Sequence, residues 1–98
     1  MSVYVIVDLE LTDAAHADAF AEYAERTNAL LREAGAKVIA FDATPKILEG
    51  TWRPRMVVVQ EYPDMAALER VYNSESYAPL KALRHSIADT HVIAVHGA

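Results

Sequence analysis

The chain has 98 residues, 53% of them hydrophobic and 23% charged, and contains no cysteine. That length and composition describe one globular domain, residues 1–98, and exclude a disordered chain, a disulfide scaffold, a thiolate metal site and a thiol nucleophile. Fourteen acidic residues against nine basic ones leave a net charge of −5, which argues against nucleic acid as a partner because phosphate neutralisation needs clustered Lys and Arg.

The chain opens with Met1-Ser2-Val3-Tyr4-Val5-Ile6-Val7-Asp8. It has no basic leader region, and nowhere do about 18–20 apolar residues run together, so a cytoplasmic protein without a membrane partner is expected. Val3 to Leu9 is a β-branched run with its polar residues, Asp8 and Glu10, only at the end, which predicts a central strand. Thr12 or Asp13 can cap a helix whose apolar stripe is Phe20, Tyr23, Ala24, Thr27, Leu30, Leu31 and Ala34, with Gly35 as its stop. Val38 to Phe41 reads as a second strand, placed at an edge or bulged by Pro45 and resuming at Ile47-Leu48-Glu49. Gly50 and Pro54 then predict a tight hairpin into a third strand, Arg55 to Tyr62.

Asp64, after Pro63, is the expected N-cap of a second helix with Met65, Leu68, Val71 and Tyr72 facing inward. Asn73 to Ser76 breaks it, and Pro79 is compatible only with the first turn of a further helix, capped by Ser76, that buries Leu80, Leu83 and Ile87. Thr90 to Val95 reads as the fourth strand. The order β-α-β-β-α-β predicts an α+β, ferredoxin-like fold: a four-stranded antiparallel sheet in spatial order 4-1-3-2 with the helices on one face. Both alternating sets of strand one are apolar, so the face without helices is expected to meet a second copy of the chain.

This topology gathers chemistry at the hairpin end of the sheet. Asp8 closes strand one, Trp52 and Arg55 lie at the hairpin, and His91 opens strand four. Asp8, Arg55 and His91 are therefore the candidate catalytic residues, with Arg55 holding negative charge and His91 or Asp8 moving a proton. Trp52, Tyr77 and Tyr23 are the candidate ligand-binding residues. Most also have a purely structural reading: Arg55 in an ion pair with Asp8 or Glu10, Trp52 over a small core or a dimer seam, His91 as a solvated strand end, and Tyr23 as packing. The histidines His16, His85 and His96 lack ligand spacing, so no metal is expected. Without a Gly-rich phosphate loop or a Gly-x-Ser-x-Gly elbow, no cofactor is expected either.

Leu48-Glu49-Gly50-Thr51-Trp52-Arg53-Pro54-Arg55, the run Val57 to Pro63, and Tyr72-Asn73-Ser74-Glu75-Ser76-Tyr77 followed by Leu83-Arg84 resemble the bacterial domain-of-unknown-function 1330 family. The family belongs to the dimeric α+β barrel superfamily, so the resemblance implies a homodimer built by two sheets face to face. The superfamily includes isomerases, monooxygenases and cyclases, as well as proteins without known activity. Two function classes follow: a cofactor-independent enzyme acting on a small anionic or aromatic metabolite, or a non-catalytic dimeric module that binds a metabolite or has a structural role.

Overall fold

The computed structural model describes residues 1–98. Strand β1 (Val3–Leu11) leads through a single 3-10 turn, Ala14–His16, into helix α1 (Ala17–Glu33). Strands β2 (Lys37–Asp42) and β3 (Met56–Tyr62), helices α2 (Met65–Tyr72) and α3 (Ala78–Ile87) and strand β4 (Ala88–His96) follow. The sheet order is β2-β3-β1-β4, antiparallel throughout, with β1 central.

Local chemistry sets the helix boundaries. The Asp13 carboxylate accepts the Ala15 amide at 2.8 Å, and the Asp64 carboxylate accepts the Ala67 amide at 2.7 Å; each satisfies an amide that the helix itself leaves unpaired. Helix α1 stops at Gly35, whose φ of 75° is open to glycine at little cost. There the Ala36 amide donates back to the Leu31 carbonyl and the Gly35 amide to the Arg32 carbonyl, which is a Schellman closure. Between α2 and α3, the Ser74 hydroxyl donates to the Val71 carbonyl and accepts the Tyr77 amide. That one side chain ends α2 and sets the start of α3.

Period-two alternation divides β1 between two environments. Val3, Val5, Val7 and Leu9 are buried under the helices, joined in the core by Leu31, Tyr62, Leu68 and Ile87. Tyr4, Ile6 and Asp8 point the other way and are only half-buried. The register carries that second set across the sheet: Ile6 lies beside Val59 and Ile93, Asp8 beside Val57 and His91, and Tyr4 beside Val95. Molecular extents of 32 × 32 × 16 Å fit one sheet and one helix layer, which leaves this second face without helices.

The structure departs from the expected tight hairpin. Residues 43–55 form a long connection without regular structure, and Ile47-Leu48-Glu49 does not resume β2. Pro45 and Pro54 bracket the segment, and neither can donate to a ladder. Strand β2 is short, bulged between Val38 and Ala40, and exposed at every residue.

Candidate functional site

The residues singled out from the sequence divide between the two faces of the sheet. On the open face, the Asp8 carboxylate is the meeting point: Trp52 Nε1 donates to Asp8 Oδ2 at 3.1 Å, and His91 Nδ1 lies 3.9 Å from the same oxygen. The Asp8–His91 juxtaposition follows directly from the antiparallel register of β1 and β4. Arg55 stands beside this group but faces Glu10 at 3.6 Å, with both side chains largely exposed. Trp52 remains 60% exposed and Leu48 85% exposed, so the connection that carries them presents apolar surface outward.

Tyr23 and Tyr77 lie on the opposite side of the sheet, under the helices, and do not join Asp8, Trp52 and His91. The cause is the alternation of β1: Asp8 is on the even, open set, whereas α1 and α3 pack over the odd set. The two phenols share a hydrogen bond of 2.8 Å between their hydroxyls. Tyr72 lies close by, its ring centroid 5.8 Å from that of Tyr77, and Lys81 Nζ sits 4.1 Å above the Tyr72 ring.

These aromatic residues border a cavity of about 280 Å³ between the helix layer and the sheet. Val5 and Val7 contribute from β1, Tyr23, Thr27 and Leu31 from α1, Tyr72 from α2, Tyr77 from the residue before α3, and Arg84 from α3. The volume is near the lower bound of small-molecule pockets, which suits a molecule of about one ring. Its walls are mostly apolar, with Thr27, Gln60, Asn73 and Arg84 among the polar exceptions.

Arg84 is the residue that sequence reading passed over. Its side chain belongs to the buried stripe of α3, following Tyr77 and Leu80 and preceding Ile87, and it is only 3% exposed. The guanidinium makes two long hydrogen bonds, Nη1 to the Tyr77 hydroxyl at 3.4 Å and Nη2 to His85 Nε2 at 3.3 Å. Its Nε has no partner. No carboxylate forms an ion pair with it, although the exposed Glu69 also borders the cavity. A buried cation without a counter-charge is costly, and a guanidinium can only donate. The arrangement is therefore set to receive an anion. A signal was available in the sequence: an Arg falling on an otherwise apolar helical stripe.

The surrounding phenols are driven apart. Burial, together with the neighbouring Tyr23, pushes the Tyr77 hydroxyl well above its ordinary value. Burial also acts to raise Tyr72, but the neighbouring Arg84 and Lys81 cations outweigh it and hold Tyr72 below the usual phenol value. Neighbouring groups shifted in opposite directions are the pattern expected where protons are held and moved.

Comparison with known proteins follows the same architecture. A family model described as domain of unknown function (DUF1330) matches residues 2–98. Among solved structures, a dimeric ferredoxin-like protein of unknown function from Jannaschia sp. CCS1 superposes with a TM-score of 0.81 at 14% identity, covering 99% of this chain and 100% of the other. The RPA0582 protein of unknown function from Rhodopseudomonas palustris gives 0.81 at 19% identity, over 99% and 82%. SnoaB, a cofactor-independent oxygenase from Streptomyces nogalater, gives 0.68 at 13% identity, over 99% and 93%. At these identities the likeness is one of fold. No curated protein matches the chain.

Proposed function

The chain belongs to the DUF1330 family, and from that premise we propose that it is a cofactor-independent enzyme acting on a small, ring-bearing anion held in the cavity between helices and sheet. The observation that carries this reading is Arg84, a buried guanidinium with no carboxylate partner, opening on an apolar cavity bordered by four tyrosines. Aromatic walls suit a ring, and the unpaired cation suits a carboxylate, enolate or phenolate oxygen.

The chemistry this set of groups supports best is proton transfer next to a carbonyl. The C–H bond of the substrate breaks, its electron pair moves onto the carbonyl oxygen, and Arg84 stabilises the resulting enolate. Tyr72, whose ionised form the neighbouring Arg84 and Lys81 favour, is the base that takes the proton and returns it at the other end of the conjugated system. Tyr23 and Tyr77 bind and orient the ring. Asp8, Trp52, Arg55 and His91 belong in this reading to the seam with a second copy, which would cover Ile6, Val57, Val59, Ile93 and Val95 on the open face. A second reading, metabolite binding without turnover, is favoured by one feature: Asp8 and His91 lie on the far side of the sheet from this cavity.

Phenylpyruvate, an aromatic, anionic and enolisable compound, is the probe. Wild-type protein should bind it in calorimetry and accelerate its keto–enol interconversion in the ultraviolet. Arg84→Met should weaken binding about 10-fold or more, and Tyr72→Phe should slow turnover with little change in binding. Unchanged binding by Arg84→Met would sink the site assignment. Binding without acceleration would establish the second reading in place of the first.

A further inference from the structure

We propose that the ligand of the helix-face cavity carries two polar groups, an anionic oxygen received by Arg84 and a separate hydroxyl or carbonyl oxygen received by Thr27, as a ring carboxylate with a ring hydroxyl does. The inference rests on the anion reading above and adds to it a second point of recognition.

Only two buried side-chain polar atoms in the protein lack a hydrogen-bond partner, Arg84 Nε and Thr27 Oγ1. Both residues border the same cavity, and they are 3% and 4% exposed. Buried polar groups are paired in the great majority of cases, and unpaired ones need an explanation. Both residues contribute to the lining of one apolar space, and a ligand held there offers both a partner.

Thr27 is unusual for its place in the chain. A threonine inside a helix ordinarily donates its hydroxyl to the carbonyl one turn back, which here would be that of Tyr23, and this bond is not made. It follows Tyr23 by four residues and precedes Leu31 by four, so the three form one stripe along α1. Tyr23 brings that stripe to the phenol pair at the Arg84 end, and Thr27 marks a position about one helical turn, 5.4 Å, further along. A hydroxyl can donate and accept, so Thr27 suits either a hydroxyl or a carbonyl oxygen there, whereas Arg84 suits only an acceptor.

The probes are benzoate and its 2-, 3- and 4-hydroxy isomers, titrated by calorimetry into wild-type, Thr27→Val, Thr27→Ser and Arg84→Met proteins, with circular dichroism to establish that each is folded. At least one hydroxy isomer should bind wild type about 5- to 10-fold tighter than benzoate. Thr27→Val should erase that advantage while leaving benzoate affinity within about twofold, and Thr27→Ser should restore it. An advantage that persists in Thr27→Val, or no isomer that outperforms benzoate, would overturn the two-point proposal. The anion reading would stand in that case, provided Arg84→Met weakens benzoate. If neither benzoate nor any isomer binds wild type, both fall together.

Discussion

The hydrogen bond between Tyr23 and Tyr77 is a sensitive probe of how the cavity is held together, because both hydroxyls are buried and one also serves Arg84. In Tyr77→Phe, two groups lose their partner at once, the Tyr23 hydroxyl and the Arg84 Nη1 donor, and the expected loss of stability is about 2–3 kcal/mol. In Tyr23→Phe, the Tyr77 hydroxyl still accepts from Arg84 and only one bond is lost, for about 1–2 kcal/mol. The double variant removes both partners together, so only Arg84 is newly unpaired. It should be less stable than wild type by about 1.5–3 kcal/mol rather than by the sum of the single effects, a coupling of about 1–2 kcal/mol. For a domain of this size each kcal/mol corresponds to about 4–8 °C in Tm, so the pattern is also readable in thermal melts. Denaturant titrations at one fixed protein concentration measure the cycle, since the proposed pairing of two copies would make stability concentration-dependent. Additivity of the two single variants within about 0.5 kcal/mol would show that the phenols do not act as a pair and would remove them as a unit of the site.

Four further outcomes are expected. Wild-type protein should sediment at twice the chain mass, and Ile93→Asp, which puts a charge at the centre of the open face, should sediment as a single chain; a one-chain mass for wild type at micromolar concentration refutes the pairing. Arg55→Ala should change stability by less than about 1 kcal/mol, because its pair with Glu10 is exposed on both sides; a larger loss in denaturant titrations would show that Arg55 braces the sheet end. Asp64→Ala should cost about 1 kcal/mol in the same assay through the lost cap on α2. Burial, with Tyr23 nearby, lifts Tyr62 from 10.0 to about 12; a folded value above the unfolded one means that its contribution is complete below pH 10 and is lost as pH rises through about 12, so denaturation midpoints should fall across that window and fall less in Tyr62→Phe.

Much of the framework can be read from residues whose constraints are local. The β-branched run from Val3 predicts the central strand, Gly35 the end of α1, Asp64 the start of α2, and Pro79 the first turn of α3, and each is found in its place. The connection 43–55 resisted the same treatment because a Gly and a nearby Pro are as compatible with a long irregular loop as with a tight turn. Nothing local reveals that Leu48 and Trp52 face outward. The site was harder still. Asp8 and His91 were brought together by register alone, which the topology foretold. The pairing of Tyr23 with Tyr77 spans 54 residues and depends on how α1 and α3 pack. In the sequence Arg84 is a cation near a helix end, and only the packing of α3 buries it beside the Tyr77 phenol.

The alternation along β1 has an evolutionary consequence. Val5 and Val7 border the cavity, while Ile6 and Asp8, one residue away, belong to the open face. A slip of one residue would exchange the two sets wholesale, so the strand's register is under selection from both sides. Individual substitutions, by contrast, are felt on one side at a time. A substitution that reshapes the cavity wall can thus leave the open face as it is, and one that alters the open face can leave the cavity wall as it is.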